Sequence, residues 1–453
     1  MAGSDALRAG YHDLLRPEVL ALVPATARRI LDLGCGTGAL GKALKARQSC
    51  HVDGIEINKA AALVARDNLD TVHEDNLNRF DPSYLTKKYD CIIFADILEH
   101  LISPWDAIKK YTSVLEDSGV VVASIPNIAH PWILSNLAQG LFRYAPAGLL
   151  DITHLRFFTK TSIFQLFYGA GLKIVNIRPH PSADNPSQFL VTATRPMVPF
   201  PHPVATILIL THNNWPYTKS CLDSIKYHTH APYKILVIDN GSTDGTVEHL
   251  RQDTSLYHIE NSCNLGFSKG NNIGLMLVDT PYFVLCNNDV VVTPHWLSRM
   301  IKHIDTDWQL MVLGPRTNSI SGPQVVSDTP YTDTTSLEAF ASRLRLHTTS
   351  QLTYFQRIVF FFTLFKSAVL PRVGLLDEIY GMGTFEDDDY CMRVIKMGFK
   401  CAFDNTVFIH HYGSQSFRSD AAGWRALLAH NQAVFLQKWA LSDITDYYRL
   451  LRT

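Results

Sequence analysis

The chain has 453 residues, of which 46% are hydrophobic and 18% charged, with 41 basic and 42 acidic side chains and a formal net charge of -1. That length calls for two or three domains of ordinary size, and the composition suits folded α/β domains rather than disorder. No basic excess exists to neutralise a phosphate backbone, which argues against nucleic acid as a partner.

The first residues, MAGSDALRAGYHDLL, lack the apolar core of a secretion signal, so the expected location is cytoplasmic. Eight cysteines include no Cys-x-x-Cys pair and read as reduced packing residues. Strand-like segments ILDL, HVDGIEI, YDCIIFAD, GVVVASIP and LKIVNIRP alternate with helix-like ones up to about residue 178, and QFLVTAT follows at 188–194. Such alternation predicts a mostly parallel sheet with helices on both faces. RPMVPFPHP at 195–203 holds four prolines and reads as a stiff linker. The expected division is therefore a domain over 1–195, a linker over 196–203 and a second domain over 204–453.

After the linker the alternation restarts with VATILILTH, YKILVIDN and YFVLCNND. The run IVFFFTLF at 358–365 is the longest apolar stretch. A bilayer span needs about 20 apolar residues, so this run is expected to be a buried strand. The Ser/Thr/Pro-rich span 314–356 predicts irregular loops, and the tail from about 420 an amphipathic helix packed back on its domain.

Chemistry enters with ILDLGCGTGALG at 30–41. Gly34, Gly36 and Gly38 follow a strand directly, where glycine permits a tight turn and close approach to a ligand at a helix N-terminus. Glu56 ends the next strand, the position at which an acid grips a ribose hydroxyl pair. Gly36, Gly38 and Gly41 also satisfy a dinucleotide pattern, so a nicotinamide-dependent dehydrogenase is an alternative. Asp32 before the glycines, Asp75 after a third strand, and the segment DILEHL at 96–101 weigh against it.

This order of motifs, with IPNIAH at 125–130 and GLLDITHLRFFT at 148–159, resembles class I S-adenosylmethionine-dependent methyltransferases of the ubiquinone-biosynthesis and O-antigen type. The resemblance implies a Rossmann-like domain in which Asp32, Gly34, Gly36, Gly38, Glu56 and Asp75 hold S-adenosyl-L-methionine. Methyl transfer from a sulfonium depends mainly on alignment, and a hydroxyl acceptor also benefits from a base. His154 is the first candidate base, with His100 and His130 behind it.

The second domain carries VIDNGSTDGT at 237–246, NLGFSKGNNIG at 264–274, LCNNDVVV at 285–292 and FEDDDYCMR at 385–393. This series resembles glycosyltransferase family 2, whose members have the α/β GT-A fold. The resemblance implies a nucleotide-sugar site bordered by Thr211, Asn213, Asp239, Ser242, Asn264, Gly266 and Asn288, with Asp239 on the base. A departing diphosphate needs a cation, Mg2+ or Mn2+, and Asp289 at a strand end is a suitable carboxylate. Asn287 is neutral where the family usually has aspartate, and His411, or His410 beside it, in IHHYGSQSF is expected to complete the shell.

By the same match Asp387 is the base that deprotonates the acceptor hydroxyl, with Glu386 its rival, and the outcome is inversion. Crowded carboxylates raise the proton affinity of at least one of them. The expected protein is a bifunctional enzyme of polysaccharide assembly acting on a glycan or glycolipid acceptor. With no membrane span, it would meet a lipid-linked acceptor by peripheral contact. The alternative keeps the sugar transfer and makes the first domain a cofactor-binding or scaffolding module.

Overall fold

Runs of apolar residues such as Cys91–Phe94 and Ile207–Leu210 have no alternating polar face. They therefore suit central strands covered on both sides. In a computed structural model of the chain, they take that place. The structure describes residues 15–198, 200, 202–413 and 421–451. The reading of the first 14 residues, Pro199 and Pro201 of the linker, and the loop from Ser414 lie outside these.

The chain divides into two units, Met1–Pro196 and Met197–Thr453. The first holds β1 (Arg29–Leu33), β2 (His51–Glu56), β3 (Thr71–Glu74), β4 (Tyr89–Ala95), β5 (Leu115–Pro126), β6 (Lys173–His180) and β7 (Gln188–Thr194). Their order is β3-β2-β1-β4-β5-β7-β6. Pairings from β3 to β5 are parallel, and β7 runs antiparallel to both neighbours. The order reverses between β1 and β4, so a crevice opens at their carboxyl ends, where ligands bind in sheets of this kind.

The second unit holds β8 (Ala205–Thr211), β9 (Tyr233–Asp239), β10 (Tyr257–Glu260), β11 (Tyr282–Asn287), β12 (Val290–Val291), β13 (Leu310–Arg316), β14 (Leu352–Tyr354), β15 (Phe362–Lys366), β16 (Lys400–Phe408) and β17 (His410–His411). Eight of them form a sheet in the order β10-β9-β8-β11-β15-β13-β16-β14, and β12 pairs with β17 in a short ribbon. Its parallel half, β10 to β11, meets an antiparallel β15. Ile207, Val237, Val284, Trp296 and Phe362 pack the core between this sheet and its helices.

Three elements differ from the sequence expectation. Only Phe362 onward of the apolar run is strand, pairing with Cys286 of β11. Ile358, Phe360 and Phe361 are buried without being strand, although the Phe361 carbonyl accepts from the Asn287 N–H at 2.8 Å. The span 314–356 is not all loop: Thr334–His347 is a helix, and the Asp333 carboxylate and Ser336 cap each other's backbone N–H. The tail forms two helices, Ala421–Lys438 and Ile444–Leu450. The cysteines are free thiols, six of them buried.

Candidate active sites

In the first unit β1 ends at Leu33 and the chain turns through Gly34, Gly36 and Gly38, all with positive φ. A side chain at Gly34 would sit 2.7 Å from Ile97 Cδ1, so this turn needs glycine for space as well as conformation. Glu56 at the end of β2 is buried and accepts from the backbone N–H of Gly36 at 2.9 Å and of Asn58 at 2.7 Å. The carboxylate thus clamps the loop to the strand end. Asp32 lies between them on β1, opposite Gly54. Burial, and next the Glu56 charge, push its carboxyl up to about 7. Asp75 is exposed, one residue past β3, and takes the Asn76 N–H.

Across the crevice, Asp96 follows β4 with φ 51. It is fully engaged: Ser124 Oγ donates at 2.8 Å, Gln188 Nε2 at 3.0 Å, and Arg16 forms an ion pair with it. Glu99, His100 and His154 come together behind it. One ligand atom from each lies within 4.8 Å of the others, a spacing that a shared proton or a small cation can bridge. His154 is buried, with Nδ1 3.2 Å from the Leu149 carbonyl, which directs Nε2 away as the free acceptor. Both Glu99 carboxyl oxygens are buried without a hydrogen-bond partner, and burial pushes the group up to about 8. His130 instead caps the helix Pro131–Ala138. Glu99 belongs to the DILEHL segment but is not singled out as a site residue by the sequence reading, although a glutamate following Ile97 and Leu98 is the available signal.

In the second unit a cavity of about 1020 Å³ is lined by Thr211, Asn264, Gly266, Asn287, Asn288, Asp289, Glu386, Asp387 and His411. Asn213, Asp239 and Ser242 do not line it. Asn213 and Ser242 tie the loops after β8 and β9 together, the Ser242 hydroxyl accepting from Asn213 N–H at 2.7 Å. Asp239 Oδ2 accepts from the N–H groups of Gly241 and Ser242, while Oδ1 is buried without a partner. Burial raises the Asp239 carboxyl above its ordinary range. The Asn288 amide donates to the hydroxyls of Thr211 and Thr218, holding the strand ends of β8 and β11 in register. Gly266, at φ +79, passes 2.9 Å from Met382 Cα as measured from an added Cβ, so any side chain there displaces the backbone leading to the acids.

The ribbon of β12 and β17 brings Asp289 and His411 together, because Val290 pairs with His411. His411 Nδ1 sits 2.7 Å from the Ser319 carbonyl, which fixes that nitrogen as the donor. Its Nε2 is buried without a hydrogen-bond partner and lies 3.2 Å from Asp289 Oδ1. A neutral imidazole nitrogen and a carboxylate facing each other this way suit a divalent cation.

The same cavity is lined by the start of the helix Glu386–Lys396, which begins with four buried acids. Thr384 and Phe385 precede it with φ of 80 and 66, a strained entry that Asn431 pins by donating to the carbonyls of Tyr380 and Gly383. The acids are not equivalent. Asp388 accepts from Arg357 at 2.6 Å and Tyr447 at 2.7 Å. Asp389 accepts from Arg393 at 2.9 Å, Trp439 at 3.0 Å and Lys438 at 2.6 Å. Glu386 and Asp387 have no cation of their own, and Glu386 Oε2 has no hydrogen-bond partner at all. Burial, and then the Asp388 charge, push Glu386 up to about 7; Asp387 is raised by burial and by both acidic neighbours. Two acids are paired with cations, whereas the other two hold their protons more tightly than ordinary carboxylates.

Among the described residues, no helix is long and apolar enough to cross a membrane.

Comparison with known proteins covers both units. Residues 7–177 match the methyltransferase domain family model, and residues 206–362 match glycosyl transferase family 2. An uncharacterized glycosyltransferase of Haemophilus influenzae is 28% identical over 116 residues, 25% of this chain and 36% of the relative. A ubiquinone biosynthesis O-methyltransferase of Aeromonas salmonicida is 26% identical over 154 residues, 32% of this chain and 63% of the relative. The chain thus spans less than two thirds of the length of either. Among solved structures, GalNAc-T7 with UDP, GalNAc and Mn2+ is 14% identical with a TM-score of 0.38, covering 47% of this chain and 44% of its own. The chain carries a methyltransferase domain followed by a glycosyl transferase family 2 domain.

Proposed function

We propose that the chain is a bifunctional enzyme of glycan assembly. Its second unit transfers a sugar from a nucleotide-sugar to an acceptor hydroxyl with inversion, and its first unit transfers a methyl group from S-adenosyl-L-methionine to a sugar hydroxyl. The observation that carries this reading is the lining of one cavity by two kinds of group, the pair Asp289 and His411 and the acids Glu386 and Asp387. Inverting displacement needs that division: positive charge where the diphosphate leaves, and a proton acceptor where the hydroxyl arrives.

Asp289 and His411, with Asn287 beside them, would hold Mg2+ or Mn2+, which neutralises charge on the departing diphosphate when bound. Asp387 takes the acceptor proton, and Glu386 shares it through their coupled ionisation. Asp239 Oδ1 and the loops bearing Thr211, Asn213, Ser242, Asn264, Gly266 and Asn288 would receive the nucleoside. In the first unit, Asp32, the three loop glycines, Glu56 and Asp75 would hold S-adenosyl-L-methionine, which supplies an activated methyl group. His154 Nε2 is the proton acceptor there. A glycolipid acceptor would be met at a membrane surface from the cytoplasmic side.

Incubation with UDP-, GDP- and dTDP-sugars, following released nucleoside diphosphate with and without Mn2+, tests the sugar half. Calorimetry with S-adenosyl-L-methionine on wild type and Glu56→Ala, beside transfer of a labelled methyl group to glycan, tests the other. No nucleoside diphosphate from any donor overturns sugar transfer. Cofactor binding without methylated product turns the first unit into a binding module.

A further inference from the structure

The match to glycosyl transferase family 2 ends at residue 362, yet the cavity is closed by residues from the last two helices, 421–438 and 444–450. The remainder of the lining is mixed, with Thr211, Asn264 and Asp289 beside Leu210, Phe267 and Phe361. The helices contribute Trp424, Leu428, Ile444 and Tyr448, with Gln432. Leu428 is 39% exposed and Tyr448 51%, so apolar surface is left open beside buried acids.

These helices are fastened to the acids themselves. Tyr447 donates to Asp388, Trp439 donates to Asp389, and Asn431 holds the strained turn before Glu386. Phe435 packs its ring 5.2 Å from Phe385 and 4.9 Å from Tyr447. Trp424, Leu428 and Gln432 recur every four residues on the helix, which stacks them along one face. The wall is therefore held in fixed register with Glu386 and Asp387.

We infer that this wall is the acceptor subsite, and that its occupant is a pyranose ring lying with its C–H face on Trp424 and Tyr448. The inference rests on the sugar-transfer reading. A hydroxyl that reaches Glu386 and Asp387 is carried by a group held beside them, and the helices fastened to the neighbouring Asp388 and Asp389 line the same cavity. The apolar face of a sugar ring suits an indole and a phenol, and the Gln432 amide stands ready for a ring hydroxyl.

The test uses the full chain, the nucleotide-sugar it hydrolyses, and methyl pyranosides or n-octyl pyranosides as acceptors. In Trp424→Ala and Tyr448→Ala the KM for methyl pyranosides is expected to rise about tenfold, and transfer relative to donor hydrolysis to fall accordingly. Trp424→Phe recovers most of the loss, and Tyr227→Ala, an exposed aromatic outside the cavity, changes nothing. An unchanged acceptor KM overturns the proposal, as does an equal loss of donor hydrolysis. Acceptance of octyl but not methyl pyranosides also overturns it, in favour of an alkyl stem on the wall. If wild type hydrolyses donor but uses neither acceptor, the pyranose assignment fails while sugar transfer stands; if it hydrolyses no donor, the underlying reading fails.

Discussion

Under the proposed function the two crevices would solve the same problem, holding a charged cofactor or donor at the carboxyl edge of a parallel sheet, and they are built of opposite materials. In the first unit the cradle is mostly backbone: three left-handed glycines and a glutamate whose oxygens already clamp the loop. In the second, the loops are tied by asparagine and serine side chains, and the working groups are carboxylates sorted by which of them has a cation. The difference follows from the chemistry each could perform. A sulfonium carries its own activation, so shape is most of what a protein must add. A leaving diphosphate and an incoming hydroxyl need charge and a proton acceptor, so electrostatics must be built in.

If that contrast holds, the largest losses come from the carboxylates. Asp387→Asn is expected to lower sugar transfer by about 10²–10⁴ with donor affinity little changed, as loss of a general base does. Glu386→Gln should act less severely and chiefly on pH dependence. With Glu386 raised to about 7, wild-type transfer rises as pH increases through 7, because the buried pair must release a proton before it can accept one. A rate profile flat from pH 5.5 to 8.5 would contradict the assignment of these two acids, where the pH range is about a unit and a half either side of the expected midpoint.

Next comes the cation pair. Asp289→Ala and His411→Ala are each expected to cost about a hundredfold in transfer, with a steeper requirement for added Mn2+. Mn2+ titrations that superimpose for wild type and His411→Ala would remove His411 from the shell. In the first unit the matching experiment attacks shape. Gly34→Ala forces alanine into a left-handed turn beside Ile97, costing about 1–2 kcal/mol. S-adenosyl-L-methionine affinity should fall about tenfold by calorimetry, with sugar transfer intact.

The parts readable from sequence were those where one residue type has one physical use. Strands covered on both faces announced themselves as unbroken apolar runs, and glycines at Gly34, Gly36 and Gly38 marked a turn that a side chain would block. Residues whose meaning comes from a distant partner stayed hidden. Nothing in FEDDDY tells that Asp388 and Asp389 are neutralised, because Arg357 lies upstream and Tyr447, Trp439 and Lys438 downstream. Glu99 is similar: its burial beside His154 requires the return of the chain 55 residues later. The helix Thr334–His347 was missed for a local reason, since its many Ser and Thr residues resemble a loop unless the Asp333 cap is recognised.

The remaining test concerns Asp32 and asks whether the first cradle carries any electrostatic load without cofactor. Its carboxyl is raised to about 7 by burial and by Glu56, whereas an unfolded aspartate titrates near 3.8. Between those values the folded unit holds a proton that the unfolded chain has released. The sign follows from that difference: the contribution to stability is complete below about pH 4, declines as pH rises, and is lost above about 7. The slope is at most about 1.4 kcal/mol per pH unit for one such group. Asp32→Asn keeps a neutral side chain at every pH, so its curve should be flatter over that window, with the gap to wild type widening toward pH 7. Amide hydrogen exchange in β1 and β2, measured without cofactor at pH 5, 6 and 7, separates this unit's stability from that of the other. Parallel curves would mean that Asp32 loses no more by ionising in the fold than in water, and that the first crevice is governed by shape alone.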